Sequence, residues 1–207
     1  MPNSYTCADP DYIYTDPQTG VLRNIGNIAD KEALQFAEAG ATARRTEELW
    51  ANPIPISSSE ALFQIHHYLF QDIYEWAGQK LKVEISKDGK QFFPLQRFNT
   101  VLSYIDGLIA EYKRLERDNK RLLSRKLAEI LDFVNYLHPF REGNGRTQRE
   151  FVRLLALEKG WKLNLNPPDN MPEYERYMEG TISGNIEILE KLIFEFIDMD
   201  YPYPIRI

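Results

Sequence analysis

The 207-residue sequence has one cysteine, Cys7, and three histidines. A lone cysteine forms no internal disulfide, so the fold must rest on its core, and a reducing compartment suits it. No apolar run approaches the roughly 20 residues of a membrane helix. The opening residues, from Met1 to Asp11, lack the apolar stretch of a cleaved secretory signal. Basic excess is also missing. The 25 Lys and Arg are outnumbered by 31 Asp and Glu, a net charge of -6. That balance suits neither non-specific nucleic-acid binding nor an anionic membrane surface. There is no His-Glu-x-x-His and no second cysteine, so a zinc site is not expected. His66 and His67 are adjacent and point to different faces of their helix, as surface or partly buried residues. Walker, kinase and Gly-x-Ser-x-Gly signatures are all absent. Internal repeats and low-complexity linkers are absent too. These gaps leave a soluble, cytoplasmic protein, with secretion by a route lacking a cleaved signal left open.

What is present is ordinary globular composition, 43% hydrophobic and 27% charged. The length suits one domain over 1–207. Residues 1–27 are rich in Pro, Gly, Asn, Asp and Thr and read as an irregular or weakly helical arm. Leu34, Ala37 and Ala41 open a helix that runs from Asp30 toward Trp50, and Asn52-Pro-Ile-Pro breaks it. Ser57-Ser-Ser-Glu60 is a capping start. Leu62, Ile65, Leu69, Ile73 and Trp76 then predict one helical stripe ending at Gly78. Over 81–94 the period changes. Val83 and Ile85 alternate with charges, Asp88-Gly89 is a turn dipeptide, and Phe92 and Phe93 follow. This predicts a β-hairpin with no sheet to join, whose edge can pair with another chain. Phe98 to Glu116 predicts a long helix. A helix–loop–helix follows over 121–159, then a short extended piece at Trp161–Leu165, a turn at Pro167–Asn170, and helices near Glu173–Met178 and Asn185–Ile197. An extended tail, Tyr201–Ile207, closes the chain. The fold class is all-α with one small hairpin.

The densest chemistry lies in His138-Pro-Phe-Arg-Glu-Gly-Asn-Gly-Arg-Thr-Gln-Arg149. Leu127, Ile130, Leu131, Val134 and Leu137 form a buried helical stripe before it. Pro139 ends that helix at His138. Gly143 and Gly145 allow positive φ and close backbone approach. Helical spacing resumes at Arg146, so the loop amides sit at the positive end of a second helix, an anion site. Arg146 and Arg149 share one face beside it, which suits a polyphosphate. Glu142 is placed to hold a divalent cation on the same phosphates. His138 is a candidate general base. Arg153 shares the arginine face but is left out of the site.

The stretch resembles the Fic (filamentation induced by cAMP) motif, His-x-Phe-x-Asp/Glu-Gly-Asn-Gly-Arg-x-x-Arg, at every specified position. Tyr12-Ile-Tyr-Thr-Asp-Pro-Gln-Thr-Gly-Val-Leu-Arg-Asn24 is similar to the N-terminal segment of toxin-type members. Ile65-His-His-Tyr-Leu-Phe-Gln-Asp-Ile-Tyr-Glu-Trp-Ala-Gly78 is similar to the helix before their flap. The resemblance implies a bacterial adenylyltransferase moving AMP from ATP to a Ser, Thr or Tyr hydroxyl, with Mg²⁺. In that reading His138 is the base and Glu142 holds Mg²⁺. Gly143, Asn144, Gly145, Arg146 and Arg149 hold the phosphates. The hairpin is a flap on which the target protein docks, with Gly89, Lys90, Gln91 and Phe92 nearest nucleotide and target. DNA gyrase and topoisomerase IV are the implied targets. A secreted effector acting on host GTPases and a catalytically silent nucleotide-binding module are the alternatives; the intact His138 and Glu142 argue against the second.

Family members are usually silenced by Ser/Thr-x-x-x-Glu-Gly/Asn, whose Glu pairs with the second motif arginine, here Arg149. The Glu-Gly pairs here, Glu142-Gly143 and Glu179-Gly180, are preceded four residues back by His138 and Glu175. Ser183-Gly-Asn-Ile-Glu187 is followed by Ile188. A separate inhibitory antitoxin, docking on the arm and first helices, is therefore expected.

Overall fold

A computed structural model describes residues 5–7, 9, 11–87, 90–165 and 171–198, with backbone alone at 5–7, 85–87, 90–91 and 171. The predicted turns at Asp88-Gly89 and Pro167–Asn170 and the tail Tyr201–Ile207 fall outside the described residues. The fold is helical, as the periodicity predicts. Its helices are α1 (Lys31–Ala51), α2 (Glu60–Phe70), α3 (Phe98–Arg114), α4 (Lys120–Leu137), α5 (Asn144–Glu158), α6 (Met171–Ser183) and α7 (Ile186–Phe196). Among the described residues none is long and apolar enough to cross a membrane.

Caps set several boundaries. Asp30 accepts the N–H of Ala33 at the start of α1, and Asn119 accepts that of Leu122 at the start of α4. Such caps satisfy helix donors that have no intrahelical acceptor. Helix α4 is the centre of the fold and packs on α3, α5 and α7. Leu127, Ile130, Leu131 and Leu137 are all 0% exposed. Each such burial contributes roughly 1.5–3 kcal/mol, an upper figure for real unfolded chains. The helix that delivers His138 is thus the most firmly seated element.

The stripe from Leu62 to Trp76 is one helix only to Phe70. Beyond it the chain runs in successive turns, with the N–H groups of Ile73 and Tyr74 both on the Phe70 carbonyl. The turns bury the same apolar residues, Ile73, Tyr74 and Trp76, which is why helical spacing persisted in the sequence. Tertiary contacts end the helix early. Asp72 is gripped by Arg45 through two hydrogen bonds of 2.7 Å. Ile25 donates its N–H to the Ile73 carbonyl.

The hairpin is present as β2 (Ile85–Lys87) and β3 (Lys90–Gln91), paired antiparallel with Lys87 opposite Lys90. It does have a sheet to join, contrary to expectation. A strand β1 (Tyr5–Cys7) pairs antiparallel with β2, Tyr5 opposite Lys87 and Cys7 opposite Ile85, giving the order β1-β2-β3. Three residues in a polar arm carry too little period to read as a strand. A second small sheet pairs β4 (Lys162–Leu163) with β5 (Ile197–Asp198) and closes the end of α7 onto the chain after α5.

Candidate active site

Helix α4 ends at Leu137, and His138 follows with φ 45° and ψ 59°. This left-handed conformation is uncommon for a residue other than glycine and costs energy unless its surroundings enforce it. Pro139 removes the right-handed alternative. The Nδ1 of His138 lies 3.3 Å from the Asn135 carbonyl. That contact selects the tautomer with the proton on Nδ1 and leaves Nε2 as the basic nitrogen. The ring is 6% exposed and stacks on Phe92, with centroids 3.8 Å apart.

Asn144 clamps the loop. Its side-chain oxygen accepts the Phe140 N–H at 3.0 Å, and its amide donates to the Phe140 carbonyl at 2.6 Å. The sequence reading put Asn144 among the phosphate ligands. Its side chain is instead spent inside the loop, and its backbone N–H is the group left for a ligand. Gly143 caps α5 at φ 81°. A Cβ there would sit 2.3 Å from the Phe70 ring, so only glycine fits. Its N–H is accepted by Glu142 Oε1 at 2.9 Å. By helix geometry the N–H groups of Asn144, Gly145 and Arg146 lack intrahelical acceptors and form the positive end of α5.

His66, read from sequence as a surface or partly buried residue, is 0% exposed and underpins this loop. Gly78 N–H donates to its Nδ1 at 2.8 Å, so Nε2 carries the proton and donates to the Glu142 carbonyl at 3.0 Å. The ring stacks on Phe140 at 3.8 Å. Burial, with Arg146 nearby, pulls its pKa down to about 3, so it is neutral at physiological pH.

The two motif arginines differ. Arg146 lies over the Phe70 ring at 4.7 Å and pairs with Glu38 of α1. It also donates to Thr42 at 3.3 Å and stands 3.8 Å from Glu142. Arg149 has its guanidinium 5.2 Å over the Tyr177 ring, and its buried Nε has no hydrogen-bond partner. Among the described residues no acid pairs with it. The Tyr177 hydroxyl is in turn held by Gln148. Arg153 pairs with Glu150 at 2.6 Å and lies over the Trp50 ring.

The flap is tied to the motif at both ends. Leu81 N–H donates to the Pro139 carbonyl at 2.9 Å, and Phe93 N–H to the Tyr136 carbonyl at 3.2 Å. Phe92 therefore reaches His138. Of Lys90 and Gln91 only the backbone is described, and Gly89 lies outside the described residues. The Glu142 side chain is 37% exposed. Among the described residues no cluster of acids and histidines forms a metal cage. A single half-exposed carboxylate beside the open amides at the start of α5 fits Mg²⁺, which commonly takes one or two carboxylates and completes its shell with phosphate oxygens and water.

Glu38, Thr42, Tyr74, His66 and Tyr177 were not legible as site residues. Each reaches the motif across a long sequence separation, Tyr74 by way of Glu38.

A family model described as Fic/DOC matches residues 55–156. The y4lH protein of Sinorhizobium fredii is 31% identical over 80% of this chain and 84% of its own length. The chain belongs to the Fic/DOC family. Another Fic relative, the protein adenylyltransferase VbhT of Bartonella schoenbuchensis, is 33% identical over 87% of this chain. That match spans only 38% of VbhT. Among solved Fic structures, BepC of Bartonella tribocorum, an effector crystallised with AMPPNP, superposes with a TM-score of 0.78. It covers 90% of this chain and 97% of its own at 19% identity, which establishes the shared fold.

Proposed function

We propose that this chain transfers AMP from ATP to a hydroxyl of a target protein. The observation that carries the reading is a convergence. The basic nitrogen of His138, the open amides at the start of α5, and Arg149, which has no acidic partner among the described residues, meet on one helix–loop–helix. Relatives named protein adenylyltransferases support it, and BepC carries an ATP analogue on the same fold.

In this reading the target hydroxyl oxygen attacks the α-phosphorus while its proton passes to His138 Nε2. The bond from the α-phosphorus to the bridging oxygen breaks, and pyrophosphate leaves. The α5 amides of Asn144 and Gly145 offset charge developing on the α-phosphate. Arg146 and Arg149 orient the β- and γ-phosphates, Arg149 on the terminal one. Glu142 would hold Mg²⁺, which supplies charge neutralisation across the phosphates. Positioning and electrostatics account for most of the rate in such a site. Phe92 and the flap present the target segment. The β1 strand already pairs with β2, so the β3 edge is the flap edge we assign to the target. The target class is the bacterial type II topoisomerases, DNA gyrase and topoisomerase IV, on the resemblance of Tyr12–Asn24 to toxin-type members. The site of action is then the bacterial cytoplasm.

A separate antitoxin is the proposed regulator. Among the described residues no acid pairs with Arg149 to silence it, and Glu187 of the near-miss pattern lies in the first turn of α7. The outer face of α1 offers a docking surface, with Phe36 85% and Trp50 43% exposed.

The test is incubation of the purified chain with Mg²⁺ and labelled ATP in bacterial lysate. Label on the α-phosphate should appear on protein bands, and label on the γ-phosphate should not. Stable protein labelling from γ-labelled ATP would overturn the reading.

A further inference from the structure

Glu38 lies in the stretch Ala37-Glu38-Ala39 of α1, and no motif includes it. Its side chain is 12% exposed. One carboxylate oxygen accepts from the Tyr74 hydroxyl and the other from Arg146 Nη2. Arg146 Nη1 donates to Thr42 Oγ1 at 3.3 Å, and that hydroxyl donates to the Glu38 carbonyl at 2.8 Å. With Phe70 beneath its face, the Arg146 guanidinium is fixed on three sides before any nucleotide arrives. Burial, reinforced by Glu38, keeps the Tyr74 hydroxyl protonated, so it serves Glu38 as a standing donor. Arg146 thus carries a compensated charge and a set geometry, whereas Arg149 has no acidic partner among the described residues.

We propose that Glu38 is a positioning residue for the transfer reaction. It acts through Arg146, holding that guanidinium over Phe70 and off Glu142, 3.8 Å away. Without it, Arg146 is free to close on Glu142 and take the carboxylate assigned to the metal. The inference rests on the transferase reading above. A merely structural link between α1 and α5 predicts lost stability and nothing specific in the kinetics. Positioning predicts a split. The transfer step slows because reacting groups are misaligned, while ATP affinity holds or tightens because a negative charge has left the cradle.

The test compares wild type, Glu38→Ala, Glu38→Gln and Thr42→Val. ATP binding is measured by calorimetry, and transfer as the initial rate of α-label incorporation into the principal lysate band. Glu38→Ala should slow transfer roughly ten- to hundredfold with an ATP dissociation constant unchanged or lower. Glu38→Gln keeps an acceptor for Arg146 and should recover part of that rate. In an Arg146→Ala background, Glu38→Ala should change nothing further, the mark of two residues acting as one unit. Should Glu38→Ala fail to fold, Thr42→Val removes the second tether without a charge change, and it should lower the rate in the same direction. A wild-type rate in either variant overturns the inference. So does faster transfer with tighter ATP in Glu38→Ala, which would make Glu38 a brake. A wild-type chain that binds ATP but transfers nothing sinks the transferase reading itself, and the positioning role with it.

Discussion

The loop after α4 and the flap touch through Phe92 and His138, yet they are held by different means. In the loop, polar side chains are committed inward. Asn144 spends both ends of its amide on Phe140, Thr147 bonds the Gly143 carbonyl, and His66 bonds the Glu142 carbonyl. The flap is secured at its two ends by backbone hydrogen bonds to Pro139 and Tyr136. Lys82 N–H adds a 3.0 Å bond to the Tyr14 hydroxyl. Beyond those points its sheet partner is the three-residue β1. Two-stranded hairpins are marginal alone. Under the proposed function, the chemistry sits on the preorganised loop and the target docks on the flap.

Four experiments probe this division, from the largest expected effect to the smallest. His138→Ala should cut transfer by about 10²–10⁴-fold, the usual worth of a general base. ATP affinity, measured by calorimetry, should be nearly unchanged, because the imidazole serves the incoming hydroxyl. Near-normal modification of the target would remove His138 from its role.

Gly143→Ala tests how fully the loop is determined. Its Cβ would meet Phe70 at 2.3 Å where φ is 81°, so urea unfolding should register a loss of roughly 2–4 kcal/mol. Gly145→Ala meets only the end of Arg149, at 3.2 Å, and should cost less than half as much. Equal losses would mean the loop is no tighter at Gly143 than at Gly145.

His66 gives the loop a pH signature that the flap lacks. The unfolded residue protonates near the ordinary imidazole value of 6.5, while the folded one stays neutral to about 3. Unfolded chains therefore bind the extra proton in this window, and stability falls as pH falls from 6.5 toward 3. The loss between pH 7.5 and 5.5 should be about 1.4 kcal/mol from this residue. Asp132, whose carboxyl is raised by burial, acts in the opposite sense at lower pH, so the reading is best taken above pH 5. Urea midpoints for wild type and His66→Gln should differ in slope by this amount. Parallel profiles would mean that His66 titrates normally in the fold.

Deleting residues 1–8 removes β1 and should be the mildest change. Cross-strand pairs contribute roughly 0.2–1 kcal/mol each, so a melting temperature lowered by less than about 4 °C is expected. A larger drop would assign β1 to the core rather than to the flap.

Much of this was legible in advance for a physical reason. Helical spacing located α1, α3, α4, α5 and α7, because each buries a continuous stripe that needs only local sequence. Pro139 and Gly143 announced a tight loop before a helix N-terminus, since φ preferences are properties of single residues; Gly145, read as a loop glycine, lies instead inside α5 without a positive φ. The stripe through Ile73 and Trp76 misled, because buried turns keep the same apolar residues as a buried helix would. Strand β1 was hidden, because three residues carry almost no period.

The sequence by itself determined the helical class, the helix–loop–helix, and the histidine, glutamate and arginine side chains gathered on it, to which the proposed function gives its roles. Tertiary structure alone decided how those side chains are held. Glu38 meets Arg146 across 108 residues, and His66 meets the Glu142 carbonyl across 76. Burial turned His66 from a titratable surface residue into a neutral brace. Packing of α1 against the motif compensated Arg146, whereas Arg149 has no acidic partner among the described residues. Local sequence states what a residue can do, but the neighbours that set its charge, tautomer and orientation are brought to it only when distant elements pack.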